Sequence, residues 1–456
     1  MALEILTFLF AGFGLGSMVL AARSVRSVRS VPSAPGALVR RRPPVWGSAL
    51  LVGGCVIMAL AAWSTHEDVR YDDFGSAVTL LVAIVGGALV LLGLGPFLAL
   101  LLGVAGRWSV LARDRARTVP WIAATMSATA LAVTVVIVAA AATSQNRADY
   151  RPEARPGALL VRYFSEADAP AALAAVRREL PGVPVVQTYR HREILPYSLH
   201  ADGADLPEQD GFVTSGVIGD GALLRYLTGD PSTPYEENTA VVVTTGDAEV
   251  ASVTIEYGLF GQDDDTAPVV KQVPAVVVRP ADPSVEEVFL PAKVFRGLGQ
   301  DLRPDALIVD PSAYSTSVTE QRRLDRSLGG VAQTYVERGY QPPSDWRIVV
   351  VAAVVVALAG ALAAAGGSDA RSWQAAARRA ALAAAIGTAV GVAAGCLAGL
   401  LLAWPVTTSS AWAPPPRAGF ATPWPWIAVL AAGLPVLAAA VAAPVFTARV
   451  RRSARR

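Results

Sequence analysis

The sequence is poor in the residues that soluble enzymes use for chemistry and that secreted modules use for cross-linking. It has two cysteines and three histidines, and only 17% of its 456 residues are charged, whereas a soluble globular chain carries about 25% charged residues. Cys55 and Cys396 both fall inside long apolar runs. The sequence therefore predicts neither a disulfide framework nor a cysteine-ligated zinc site, and it disfavours a cytosolic enzyme.

Catalytic and nucleotide-binding patterns are missing as well. Neither Lys271 nor Lys293 follows the glycine pattern of a P-loop, so the chain is not expected to bind ATP by that route. We interpret His191 and His200 as surface or strand-end residues, and Asp263–Asp265 as a solvated loop, because zinc and EF-hand spacings are absent. The sequence predicts no catalytic residues, no metal and no cofactor, and hence a chain that is not an enzyme.

Charge is unevenly distributed along the chain. Between Thr143 and Trp346 there are 30 Asp or Glu against 18 Lys or Arg, a net charge of −12, whereas the remainder has 7 acids and 21 bases, a net charge of +14. This pattern predicts an acidic water-soluble domain set in a membrane scaffold with basic flanks. Nucleic-acid binding is disfavoured because the bases lie beside apolar spans.

Long apolar runs dominate the rest of the chain. Seven reach the length of ~20 residues that a membrane-spanning helix needs. They cover residues 4–22, 47–64, 76–104, 119–143, 347–366, 380–404 and 424–447. In the third run, Gly95-Pro96 is a candidate end of the span. No run has a charged residue in its middle, which disfavours ion-coupled transporters and voltage sensors.

The positions of the arginines predict an orientation. Four basic segments are assigned to the cytoplasm by the positive-inside rule: residues 23–46, 107–117, 367–379 and 449–456. The N-terminus, the acidic loop 67–73, the large domain and the Pro-rich loop 405–423 then lie outside, and the C-terminus is cytoplasmic. Thirty-seven Arg against two Lys indicate a GC-rich bacterial source. We expect a multi-pass protein of a bacterial plasma membrane, with an uncleaved first span because Glu4 is unlike a signal-peptide start.

The acidic domain has the pattern of a mixed α/β fold, with room for two subdomains. Strands are predicted at Ala158–Phe164, Val183–Tyr189, Phe212–Val217, Thr239–Thr245, Val250–Tyr257, Val269–Val278, Val285–Leu290 and Ala306–Val309. Helices are predicted after the capping pair Ser165 and Asp168, at Ala222–Thr228 and at Ala292–Leu298. A last helix, capped by Ser317 and Glu320, is predicted to run towards Tyr340.

One face of the sixth span consists of glycines at four-residue intervals. They are Gly387, Gly391, Gly395 and Gly399. Such a face lets two helix backbones approach closely in lipid. Two alternatives stay open, namely helix packing within one chain and contact with a second membrane chain.

Several stretches resemble actinobacterial members of the FtsX-like permeases, the membrane subunits of type VII ABC systems that include macrolide and lipoprotein exporters. They are "LGPFLALLLGVAGRWSVLARDRARTVPWIAATMSATALAV", "FLPAKVFRGLG", "YVERGY", "GTAVGVAAGCLAGLLLAWPV" and "PWPWIAVLAAGLPVLAAA". The resemblance covers roughly residues 90–456. It implies an α-helical polytopic membrane protein of about seven spans with one large α+β extracytoplasmic domain.

That layout implies a division of the chain. Residues 1–118 hold three N-terminal spans and a basic cytoplasmic lead-in, and 119–143 the first core span. Residues 144–346 form the extracytoplasmic domain, and 347–456 hold three core spans and a basic tail. Since long members of the family carry two four-span cores, we expect a truncated or a naturally half-length relative.

The resemblance also implies a function. It is that of a permease subunit that couples a separate cytoplasmic ABC ATPase to movement of the outer domain, for efflux of lipid, lipopeptide or antibiotic. The implied partners are the ATPase, a second permease core in a homo- or heterodimer, and membrane lipid. The alternative is a non-transporting membrane regulator or sensor that acts on a cell-wall hydrolase or an extracellular ligand.

Residues that could contact the ATPase lie in two cytoplasmic segments. The candidates are Arg113, Asp114, Arg115 and Arg117 before the first core span, and Asp369, Arg371 and Trp373 after the second. The second segment, "GGSDARSWQAAARRA", is shorter than its counterpart in the family, which favours the regulator slightly. Positive-inside anchoring alone would explain most of these arginines.

Overall fold

The computed structural model describes residues 2–29, 45–67, 73–105, 115–150, 152–191, 197–201, 216–257, 269–282, 285–298, 301–366, 372–408 and 417–453. Within this part, the chain divides into two compact units. The sheet unit spans Tyr150–Gln341. The helical unit comprises the described residues before Tyr150 and after Gln341.

The helical unit is built from long apolar helices. They are α1 (Ala2–Arg29), α2 (Val45–Ser64), α3 (Asp73–Ala105), α4 (Arg115–Asp149), α9 (Trp346–Ala365), α10 (Trp373–Val406) and α11 (Trp424–Ser453). Each of these seven is long and apolar enough to cross a membrane. The chain is therefore a polytopic membrane protein, and the seven apolar runs predicted as spans are confirmed as helices.

The third helix corrects one expectation. Pro96 lies inside α3, so Gly95-Pro96 does not end the span. Proline removes one backbone hydrogen bond from a helix, but tight contact with neighbouring helices supports helices that contain it. Pro96 has such a contact, because it packs against Gly47 of α2.

The sheet unit contains one ten-stranded sheet. Its strands are β1 (Leu159–Tyr163), β2 (Val186–His191), β3 (Tyr197–Ala201), β4 (Val217–Gly219), β5 (Ala240–Val243), β6 (Ser252–Tyr257), β7 (Val269–Val278), β8 (Glu287–Pro291), β9 (Leu302–Val309) and β10 (Ala332–Val336). The strand order is β10-β1-β9-β2-β4-β8-β5-β7-β6-β3, with parallel pairing only for β4 with β8 and β5 with β7 within the described strands. A single sheet replaces the expected two subdomains.

In the described part of the sheet unit, four α-helices accompany the sheet. They are α5 (Ala169–Glu179), α6 (Gly221–Thr228), α7 (Ala292–Gly297) and α8 (Val318–Leu328). The alternation of side chains along β1 assigns its two faces to different helices. Leu159 and Val161 join the core with α5 and α8, whereas Leu160 joins the core with α6.

Most predicted elements of the sheet unit are confirmed, and two strands were missed. The helix that begins after Ser317 was wrongly extended towards Tyr340. It ends at Leu328, because Gly329 and Gly330 both have a positive φ (60° and 91°), a conformation that glycine adopts readily and that ends helices. The residues beyond them form β10, and β3 was also missed. Of the predicted strand Phe212–Val217, all but the last two residues lie outside the described part.

Candidate functional site: the buried fourth helix

Helix α4 lies at the centre of the helical unit. Of its most apolar stretch, 89% is buried against other helices, compared with 22–44% for the other six. Several of its buried residues carry polar side chains, namely Thr118, Thr125, Ser127, Thr129, Thr134 and Gln145. The last residue of α4, Asp149, is followed directly by Tyr150 of the sheet unit. The most buried helix is therefore also the one that leads into the sheet unit.

The glycine face of α10 packs on α4 of the same chain. A Cβ atom added to Gly391 would lie 2.5 Å from the Met126 carbonyl oxygen, and one added to Gly395 would lie 2.7 Å from that of Ala130. Gly387 and Gly399 likewise face Thr125 and Ile137 of α4. The two backbones thus touch along four successive turns, and this face of α10 is occupied by a helix of its own chain.

Because Gly387, Gly391, Gly395 and Gly399 meet successive turns of α4 in ascending order, the two helices run parallel. Their first residues, Arg115 and Trp373, consequently lie at the same end of the helical unit. The two segments proposed for ATPase contact therefore lead into one end of a single packed helix pair.

Hydroxyl groups join α4 to α9 and to α10. Thr125 Oγ1 donates a hydrogen bond to the Ala357 carbonyl of α9 at 3.1 Å. Thr134 Oγ1 lies 3.3 Å from the Gly395 carbonyl of α10. A Cβ atom on Gly360 of α9 would lie 2.7 Å from Thr125 Oγ1, so this hydrogen bond depends on glycine. Each such bond between membrane helices contributes on average about 0.6 kcal/mol.

The segment between α10 and α11 holds the last turns of α4. Gln145, only 2% exposed, accepts from the Ala418 backbone at 3.0 Å and donates to Asp149 Oδ1 at 2.9 Å. Ser144 Oγ donates to the Gly419 carbonyl at 3.0 Å. These bonds satisfy a buried amide and fix the end of α4 that precedes the sheet unit.

Arg417 joins the same segment to two other helices. Its guanidinium donates to the Thr65 carbonyl at the end of α2 and lies 4.8 Å from the centre of the Trp404 ring of α10. A cation over an aromatic face is attracted by the ring quadrupole. Arg417 thus links the N-terminal helices to the C-terminal ones.

Sequence reasoning missed a second set of close contacts. Gly54 and Gly86 meet each other, as do Gly47 and Gly93, so that an added Cβ would lie 2.5–3.1 Å from the partner's carbonyl oxygen. Both pairs join α2 to α3 in antiparallel register. The signal was available, because each helix has two glycines seven residues apart, a spacing that returns to the same helix face.

Most of the predicted ATPase-contact side chains lie outside the described part of the chain. Arg113, Asp114, Asp369 and Arg371 lie outside the described residues, and Arg115 and Arg117 are described only as backbone in the first turn of α4. The remaining candidate, Trp373, is the first residue of α10 and is 51% exposed. Ser372 caps that helix by accepting from the Ala375 backbone at 3.3 Å.

Polar residues of the sheet unit do not converge on a metal site in the described part of the chain. His200 Nε2 lies 3.7 Å from Glu256, His191 ends β2, and Asp263–Asp265 lies outside the described residues. No group of three or more metal-ligating side chains occurs among the residues that the structure describes.

Five described tyrosines of the sheet unit have a raised pKa, namely Tyr150, Tyr163, Tyr226, Tyr235 and Tyr314. Burial raises the pKa of Tyr163 and of Tyr226 to about 12. Burial and the hydrogen bond to Glu337 also raise the pKa of Tyr150. Tyr150 donates to Glu337 and Tyr163 donates to Gln187 Oε1 at 3.1 Å, whereas Tyr226 Oη accepts from the Arg155 backbone at 2.9 Å.

The sequence matches no known protein family and no curated protein. In the described part, polar groups connect α4 to α9, to α10 and to the segment before α11.

Proposed function

We propose that this chain is a permease subunit of an ABC-type exporter with the FtsX-like layout. It couples a separate cytoplasmic ATPase to movement of the sheet unit, which lies on the extracytoplasmic side. The observation that carries the proposal is the position of α4, the most buried helix, directly before the sheet unit. A basic segment that includes Arg113 and Arg115 lies at the other end of this helix.

A helix of this kind can transmit movement over the thickness of a membrane. With 35 residues and a rise of about 1.5 Å per residue, α4 is about 50 Å long. Its most apolar stretch is 89% buried, and the glycine face of α10 offers a smooth surface for small sliding steps. A displacement at Arg115 would reach Tyr150 without crossing a loop.

The apolar spans favour an amphiphilic cargo. Without charged residues in their middle, they offer no path for ions, whereas amphiphilic molecules such as lipids, lipopeptides and antibiotics could leave through the surrounding bilayer. The other partners are membrane lipid and a second permease core, which is either identical to this one or different. The chain lies in a bacterial plasma membrane. Its N-terminus is outside the cell and its C-terminus is in the cytoplasm.

The test is a pull-down of the detergent-solubilised chain from its native membrane, with ATPase activity measured on the eluate. We expect a co-eluting ATPase whose turnover falls when Arg113 and Arg115 are both replaced by Glu. The matched control replaces Arg451 and Arg452 of the basic tail by Glu, which removes as much charge at another cytoplasmic segment. An equal fall in ATPase turnover in both variants would mean that the basic lead-in only anchors the chain in the membrane.

The shortened segment at Asp369 favours one alternative, a non-transporting regulator of a cell-wall hydrolase or a sensor of an extracellular ligand. This chain would then need no ATPase. An eluate without nucleotide-binding protein, obtained from membranes in which the chain is intact, would support the regulator and contradict the permease.

A further inference from the structure

Glu337 is a buried carboxylate at the point where the chain leaves the sheet unit. It follows β10 directly, and its side chain is 0% exposed. Burying a carboxylate costs several kcal/mol unless its oxygens receive hydrogen bonds. The donors to this side chain therefore show what the residue holds in place.

The donors come from two segments that are far apart in the sequence. From the segment by which the chain enters the sheet unit, the Tyr150 hydroxyl donates to Oε1 and the Glu153 backbone donates to Oε2 at 3.1 Å. From the segment by which it leaves, the Gly339 backbone donates to Oε1 at 2.7 Å. Tyr335 Oη lies 3.5 Å from the same oxygen. One oxygen is thus shared by both segments.

Backbone and ring contacts reinforce this link. The Gly157 amide donates to the Glu337 carbonyl at 2.6 Å, and the Glu337 amide donates to the Ala158 carbonyl at 2.9 Å. The rings of Tyr150 and Tyr340 meet edge to face with centroids 5.9 Å apart. The incoming segment, residues 150–158, and the outgoing segment, residues 335–341, are therefore joined around one side chain.

We propose that Glu337 is a positioning residue that makes these two segments a single clasp, so that they open and close together. Its carboxylate is the acceptor that both segments need, and its loss leaves buried donors without a partner on each side. The chain then enters and leaves the sheet unit at two points that are held next to each other. This inference goes beyond the proposed function and holds whether or not an ATPase binds.

Hydrogen exchange measured by mass spectrometry on the full chain in lipid nanodiscs tests the clasp. Glu337→Gln keeps the size of the side chain but replaces one acceptor oxygen by a donor. We expect exchange in peptides 152–158 and 335–341 to rise together, by about tenfold or more, as for lost hydrogen bonds to a charged group. Exchange in peptide 240–243, in the middle of the sheet, stays unchanged.

If Glu337→Gln unfolds the sheet, a second variant still tests the proposal. Tyr150→Phe removes one hydroxyl from the incoming segment only, and we expect exchange to rise in the outgoing segment as well. As a matched control, Glu320→Gln removes another carboxylate with several hydrogen bonds in the same unit, and only peptide 317–323 responds. A rise confined to the incoming segment in Tyr150→Phe, or no rise in either segment, would overturn the proposal.

Discussion

At the scale of single residues, the glycines of this chain differ in how much space an added methyl group would have. A Cβ atom at Gly391 would lie 2.5 Å from a backbone oxygen of α4, whereas one at Gly433 of α11 meets nothing within 4 Å. Backbone atoms cannot move aside as a side chain can, so even an alanine at Gly391 would be overpacked. The same sequence change therefore has a different effect on each helix.

We predict that Gly391→Ala lowers the free energy of unfolding by about 1–3 kcal/mol, as for other overpacked sites. Gly433→Ala is the control and is expected to leave stability unchanged or to raise it slightly, since alanine favours helix. Reversible unfolding of the purified chain in mixed micelles measures both. Equal losses in the two variants would contradict the close contact between α4 and α10.

Glu320 is predicted to titrate far below an ordinary glutamate. Hydrogen bonds from Tyr314 and Ser317 lower its pKa from 4.5 to about 2. Because the folded state has the lower pKa, this carboxylate stabilises the fold above about pH 4.5, and its contribution is lost as the pH falls towards 2. Carboxyl carbon NMR of the full chain gives the midpoint, with Glu320→Gln to assign the resonance. A midpoint at 4.5 or above would show that the capping box at α8 does not form.

At the scale of elements, hydroxyls that bridge helices differ from hydroxyls that bond within one helix. Thr125 Oγ1 lies 3.1 Å from the Ala357 carbonyl of α9 and 3.1 Å from the Trp121 carbonyl of its own helix, whereas Thr79 donates to Gly75 of its own helix. We predict that Thr125→Val costs about 0.5–1.5 kcal/mol, in the range for hydrogen bonds between membrane helices. Thr79→Val is the control and is expected to cost less. The same unfolding assay compares them, and the reverse order would contradict the role of α4 as the helix that holds its neighbours.

The sequence predicted elements best where a pattern repeats over many residues. Each span is an uninterrupted apolar run, so its existence follows from length alone. The strands β3 (YSLHA) and β10 (AQTYV) were missed because polar residues interrupt their apolar pattern, whereas β1 (LLVRY) and β5 (AVVV) are nearly continuous apolar runs. The junction at Glu337 was not predictable, because two of its donors, Tyr150 and Glu153, lie 187 and 184 residues away in the chain.

At the scale of the whole molecule, the arginines and the parallel α4 and α10 make a joint prediction about sidedness. Two exposed residues serve as probes, Ala174 of α5 and Gln374 of α10. In intact cells, a membrane-impermeant thiol reagent is expected to label Ala174→Cys and to spare Gln374→Cys, which reacts only after lysis. Cys55 and Cys396 are replaced by alanine in both variants. Labelling of Gln374→Cys in intact cells would reverse the proposed topology.

The central claim is that nucleotide binding in a cytoplasmic partner moves the sheet unit. The most direct measurement places spin labels at Ala174→Cys in the sheet unit and Ala421→Cys in the segment before α11, both exposed positions, in the complex purified from native membranes. Pulsed electron spin resonance then gives the distance between the labels with and without trapped ATP. The account predicts a distance distribution that shifts when nucleotide is trapped. An unchanged distribution in a complex that hydrolyses ATP would contradict it.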